Sequence, residues 1–216
     1  MRVLDVQYAK PLLDKWLTDE DYEALAQGTV NAYKACDKHF RNSVVTGEFL
    51  PGIEKRSNML NIFVMYSLFK IANEKNEFKS EFKQNAAHNC WHLRLHKGGL
   101  SITTHFLGRK NDRSMARSAK NRAVLLSKNL DLFQSDNSNI DDITHLYCHL
   151  YHGGWLRPEE ICLVIPTADQ SNISHAMNLN IPKPDITKAE QIREEMTFRL
   201  LIGTEETEVN AKKQAS

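Results

Sequence analysis

Three histidines and an arginine at strand-like spacing give this sequence its most direct route to chemistry. His92, Arg94 and His96 alternate with Trp91, Leu93 and Leu95, and His105 lies beyond Gly98-Gly99 in a second alternating run, Leu100, Ile102, Thr104 and Phe106. Alternation with period 2 is the signature of a half-buried strand, and Gly-Gly supplies the positive φ angles of a two-residue hairpin turn. With that turn, Leu95 faces Ile102 and Trp91 faces Phe106 on one side. The other side sets His92 opposite His105, Arg94 opposite Thr103 and His96 opposite Ser101. Imidazoles beside a guanidinium on a solvent-facing strand surface can protonate or orient a phosphate, the chemistry of a phosphate-directed hydrolase. No Asp or Glu lies close by in the sequence to fix an imidazole tautomer, and an ordinary polar sheet surface has the same composition.

Electrostatics single out a second segment. Arg109, Lys110, Arg113, Arg117, Lys120, Arg122 and Lys128 crowd into a stretch that holds Asp112 as its one acid. Read as a helix over roughly Arg113 to Lys128, it puts Arg113, Arg117 and Lys120 on one stripe at i, i+4 and i+7. Arg109, Lys110, Arg113, Arg117, Lys120 and Arg122 would then contact the phosphates of DNA or RNA. The alternative is a solvated helix face paired with Asp131, Asp136, Asp141 and Asp142.

Directly downstream, Asn129-Leu130-Asp131-Leu132-Phe133 resembles the Leu-Asp-Leu-Phe form of the short peptide with which bacterial replication and repair proteins dock on the sliding clamp. The resemblance covers five residues, and Asn129 stands where that peptide normally leads with Gln. It implies that Leu130, Leu132 and Phe133 fill an apolar pocket on a partner, and it carries the attribution to a bacterial or phage protein. The competing reading packs the same three side chains into the core.

Other classes of site lack support. Cys36, Cys90, Cys148 and Cys162 form no CxxC pair, and no His, Cys or carboxylate spacing matches a zinc pattern, so neither a metal nor a cofactor is expected. Buried reduced thiols are the expectation, with Cys148 and Cys162 able to meet across a hairpin. Walker, GxGxxG, GxSxG and HExxH signatures are missing. The 28 basic residues against 27 acidic ones give a net charge of +1, so attraction to nucleic acid or to an anionic membrane must be local. Arg2, Val3, Leu4 and Asp5 after Met1 do not read as a secretory leader, and no apolar run reaches the roughly 18 residues of a membrane span. A cytoplasmic protein is therefore expected.

The elements that must position these residues form an α+β pattern. Thr18 followed by Asp19, Glu20 and Asp21 opens a helix to about Phe40; Gly47 and Pro51-Gly52 mark a turn or loop; Met59 to Ile71 is apolar nearly all round and predicts a core helix. Residues 73–89 read as a linker. A second hairpin alternates Tyr147, His149 and Tyr151 with Leu146, Cys148 and Leu150, turns at Gly153-Gly154, and returns through Ile161 to Ile165. The two Gly-Gly turns look like repeated turn chemistry. A mixed loop with Pro166, Pro182 and Pro184 precedes a capping box, Thr187-Lys188-Ala189-Glu190, that opens a last helix. The expected architecture is a helical N-terminal portion packed on a mainly antiparallel sheet built from two β-hairpins, with a connecting basic helix and a C-terminal helix. It forms a single domain over residues 1–203, helical to about residue 75 and hairpin-rich from about residue 88, before a disordered tail, 204–216. The leading functional expectation is a non-enzymatic nucleic-acid-associated accessory protein. The rivals are the phosphate-directed hydrolase and a protein-binding module.

Overall fold

The computed structural model describes residues 7–41, 50–75, 77–84, 91–107, 129, 143–167 and 173–197. In chain order the elements are β1 (Gln7–Tyr8), α1 (Lys10–Leu13), α2 (Asp19–Arg41), α3 (Leu50–Lys75), β2 (Lys79–Gln84), β3 (Trp91–Lys97), β4 (Leu100–Phe106), β5 (Leu146–Gly153), β6 (Glu160–Pro166), β7 (Ile173–Asn178) and α4 over residues 186–197. The α+β class and the mainly antiparallel sheet stand as expected.

Thr18 starts α2 through a reciprocal cap. Its hydroxyl accepts from the Asp21 amide at 3.3 Å while Asp21 Oδ2 accepts from the Thr18 amide at 2.8 Å, an Asp version of the capping box. Lys97 reaches the same carboxylate oxygen at 2.7 Å, tying the start of α2 to the end of β3. Leu60, Phe63, Val64 and Leu68 of α3 are fully buried, and α3 packs on α2 and lies across β2, β3 and β4. Pro51-Gly52, expected in a turn, falls instead in the first turn of α3. Proline is tolerated there because its missing N–H has no helical partner in any case. At the other end of the chain Asp185, not Thr187, caps α4, accepting from the amides of Thr187 (3.0 Å) and Lys188 (3.1 Å). Glu190 is thereby free of the capping role, and it pairs with Lys38 of α2 at 2.5 Å.

The strand order is β1-β7-β6-β5-β4-β3-β2. It consists of two antiparallel meanders, β2-β3-β4 and β5-β6-β7, joined where β4 and β5 run parallel; β1 adds parallel to β7. The β3–β4 register is the predicted one, with Leu95↔Ile102, Arg94↔Thr103 and His96↔Ser101, and Gly98 has φ +56° in the turn. The ladder stops at Arg94↔Thr103, so the expected pairs Trp91–Phe106 and His92–His105 do not form; Trp91 and His92 pair with Gln84 and Lys83 of β2.

Two stretches without apolar alternation turned out to be strands. Residues 73–89, read as a linker, contain the polar edge strand β2, and the proline-bearing loop contains β7. The second Gly-Gly is different chemistry from the first: Gly153 still pairs with Glu160 in the ladder, Gly154 takes φ +122°, and six residues separate the strands. Because β4 and β5 are parallel, the two glycine turns also lie at opposite ends of the sheet. Cys148 and Cys162 cannot meet, since Cys148 faces the helices whereas Cys162, opposite Tyr151, belongs to the other face. Cys36, Cys148 and Cys162 are buried thiols outside any disulfide, and burial pushes the Cys36 thiol up to about 12.

Among the described residues no helix is long and apolar enough to cross a membrane.

Candidate functional site

The helix-packed face of the sheet is apolar, with Leu93, Leu95, Ile102, Cys148, Leu150 and Leu163 in the main core. Strand alternation sends the intervening side chains to the opposite face, and there the composition changes. Across β2 to β5 it carries Glu81, then His92, Arg94 and His96, then Ser101, Thr103 and His105, then Tyr147, His149 and Tyr151. Parallel pairing fixes the rows: Ser101 lies beside Tyr147, Thr103 beside His149, and His105 beside Tyr151.

This face is not the solvated surface that alternation alone predicts. Arg94, Ser101, Thr103, Tyr147, His149 and Tyr151 are all buried, while His92, His96 and His105 are half-buried. The side chains form a connected set. Thr103 Oγ1 lies 2.8 Å from Tyr147 Oη and 3.0 Å from His149 Nδ1. The His149 ring centroid is 5.0 Å from that of Tyr147 and 5.5 Å from that of Tyr151; His105 lies 5.2 Å from Tyr151 and 6.4 Å from His149. A threonine hydroxyl between a phenol and an imidazole can donate in either direction, so reversing the chain moves a proton between Tyr147 and His149 without moving a heavy atom.

A carboxylate does hold one of these histidines, contrary to the sequence-based reading. Glu81 Oε1 stands 3.3 Å from His96 Nε2, and His96 Nδ1 is 2.9 Å from Ser101 Oγ. Burial raises the Glu81 pKa, but hydrogen bonds from His96 and Lys83 outweigh it and leave the carboxyl below the usual range. The same oxygen is 3.5 Å from Arg94 Nη1. That is a long contact for an ion pair.

Arg94 is therefore the anomaly of the face. It is only 7% exposed, and its Nε has no hydrogen-bond partner. A guanidinium offers five N–H donors in a planar fork suited to carboxylate or phosphate oxygens. Burying one with its Nε unmet, beside a carboxylate oxygen 3.5 Å from Nη1, costs about 1–3 kcal/mol for the unmet donor. Natural structures rarely leave such groups unmatched, and sites of function are where they do.

The structure thus places His92, His96, His105 and Arg94 on one face with Glu81, Thr103, Tyr147, His149 and Tyr151, with His92 opposite Lys83 of β2. Tyr147, His149 and Tyr151 already share a strand face in the sequence; what sequence does not reveal is the parallel β4–β5 pairing that sets them beside the first hairpin. Among the described residues no cluster of His, Cys, Asp or Glu is arranged to hold a metal ion.

The basic-segment residues Arg109, Lys110, Arg113, Arg117, Lys120 and Arg122, the peptide residues Leu130, Leu132 and Phe133, and the 204–216 tail lie outside the described residues. Asn129, which heads that peptide, is described and fully buried. Its Nδ2 donates to the carbonyls of Tyr147 (2.9 Å) and Pro166 (3.2 Å), and its Oδ1 accepts from the Tyr147 amide (2.9 Å). The side chain that would lead the peptide into a clamp is committed to bridging β5 and β6.

Comparisons with protein-family models, with curated proteins and with solved structures find no match for this chain.

Proposed function

We propose that the polar face of β3, β4 and β5 receives the phosphate of a phosphoester and that the protein is a phosphate-directed hydrolase. The observation that carries this reading is the buried, under-partnered guanidinium of Arg94. A tetrahedral oxyanion would supply the acceptors that Glu81 does not, in a setting where low dielectric strengthens the pairing. In this reading Arg94 holds the phosphoryl oxygens and carries the charge that grows on them. His149, linked through Thr103 to Tyr147, and His105 across Tyr151 are the candidates for proton transfer. Their ring separation of 6.4 Å suits two imidazoles addressing different oxygens of one phosphoryl group.

The test joins binding to turnover. Inorganic phosphate titrated calorimetrically should bind wild type and fail with Arg94→Met. A panel of aryl phosphate mono- and diesters should be turned over with kcat reduced about 100-fold or more in His149→Gln at similar KM. Retained phosphate binding in Arg94→Met, with the fold intact by circular dichroism, would refute the assignment.

A second reading draws on the seven positive charges between Arg109 and Lys128. Here the phosphate belongs to DNA or RNA, and the protein acts as a nucleic-acid-associated accessory factor. Fluorescence anisotropy against short DNA and RNA should then show affinity that falls steeply with salt and is lost in Arg113→Ala with Arg117→Ala. Docking on a sliding clamp through Leu130, Leu132 and Phe133 remains a proposal of the sequence alone, and the commitment of Asn129 to the sheet weighs against it.

A further inference from the structure

Strand β2 closes one side of the sheet among the described residues: it pairs with β3 along all six of its residues, and no described strand lies on its outer side. Among the described residues no backbone group from another element bonds to that outer edge. An open row of amides and carbonyls is a template for a further strand. Two exposed aromatics flank it on the helix-packed side, Phe82 at 41% and Trp91 at 54% exposure, with the Phe82 ring 5.3 Å from that of Phe69.

The residue order of β2 selects what fits. Glu81, Phe82 and Lys83 are placed so that a second β2 running antiparallel, centred on Phe82, sets Phe82 opposite Phe82, Glu81 opposite Lys83 twice, and Ser80 opposite Gln84. Centring on Glu81 would oppose two carboxylates, and centring on Lys83 two ammonium groups. Registers centred between residues would put the apolar side chains of one copy on the polar face of the other. Centring on Ser80 would also set Glu81 opposite a lysine, Lys79, on the same face, but it overlaps only Lys79 to Glu81 of each strand; centring on Phe82 aligns charge and face from Ser80 to Gln84, with the self-complementarity of a two-fold interface. Lys83 now lies 3.2 Å from Glu81 of its own strand, so the pairing exchanges the exposed local ion pair of each copy, two in all, for two between copies.

We propose that a second copy of this chain pairs with β2 in that register, giving a dimer with one continuous sheet. A six-residue edge makes a small interface, so the expected dissociation constant is on the order of 10 µM.

Sedimentation equilibrium from about 1 to 300 µM tests this, because the proposal needs a monomer–dimer equilibrium across that range. Lys83→Glu, which sets like charges opposite Glu81, should weaken association about 10-fold or more, and Lys83→Arg should preserve it. Register is read in a Cys90→Ser background, where Cys36, Cys148 and Cys162 are buried. Ser80→Cys mixed with Gln84→Cys should give an oxidised cross-linked dimer, and either variant alone should give none. A monomer at every concentration overturns the proposal, as does a dimer indifferent to Lys83→Glu that yields no mixed cross-link.

Discussion

His152 makes the stability of this protein pH-dependent in a way that can be isolated. Its side chain lies on the helix-packed face, fully buried, with Nδ1 3.1 Å from Tyr33 Oη and Nε2 without a partner. Burial, reinforced by the nearby charge of His105, pushes its pKa from 6.5 down to about 3. The native state therefore holds the neutral ring, and the unfolded chain takes up a proton first. Stability is complete above about pH 6.5 and drains away as pH falls toward 3, at about 1.4 kcal/mol per pH unit. Between pH 8 and pH 4.5 this one residue should remove about 2–3 kcal/mol. The lower limit matters because Asp21, Glu81 and Glu195 have lowered pKa values, and their contribution is lost only as pH falls further, through those values. His39 and His175 are also lowered by burial and contribute linkage of the same sign, so the comparison must be between proteins. His152→Asn keeps an acceptor near Tyr33 and removes the ionisation. Urea unfolding at pH 8, 6.5, 5.5 and 4.5 should give a free energy that falls more steeply in wild type than in the variant, by those 2–3 kcal/mol across the range. Equal slopes would show that His152 does not carry the proton linkage and would refute the reasoning.

Other consequences concern single contacts. Arg94→Met should leave stability within about 1 kcal/mol of wild type or above it by urea titration, because the guanidinium is poorly matched where it lies. Lys97→Met should cost about 3 kcal/mol, since Asp21 has a side chain with no exposed surface and an Oδ1 without a partner; Asp21→Asn added to it should recover part of the loss. Asn129→Ala removes three buried hydrogen bonds from its side chain, two to β5 and one to β6, and should cost about 2–4 kcal/mol, read from the thermal midpoint. Gly99→Ala should cost about 2 kcal/mol or more, because an added Cβ would lie 2.0 Å from the Thr144 carbonyl oxygen, a backbone atom with little room to yield.

Local patterns carried the elements that bury one clear face. Thr18 and the apolar positions after it define α2, and Gly98-Gly99 between alternating runs defines the β3–β4 register. Polar strands stayed hidden: β2 holds Phe82 as its one large apolar residue, so nothing separates it from a linker until β3 lies beside it. Half of the candidate site was legible as Arg94, His96 and His105. The other half, Glu81 and His149, joins them only through pairings between segments distant in sequence, one of them parallel. Burial of the polar face was likewise illegible, because alternation reports which residues share a face and not whether that face meets water.

The parallel seam between β4 and β5 also bears on how the chain reaches this fold. Each meander can zip from its own short connections, on the microsecond scale of hairpins. The seam must instead wait for closure of the long connection between Phe106 and Leu146. Thr103 meets His149 only across that seam. Refolding should therefore show strand formation ahead of the seam, with the His149 environment acquired in the last and slowest phase.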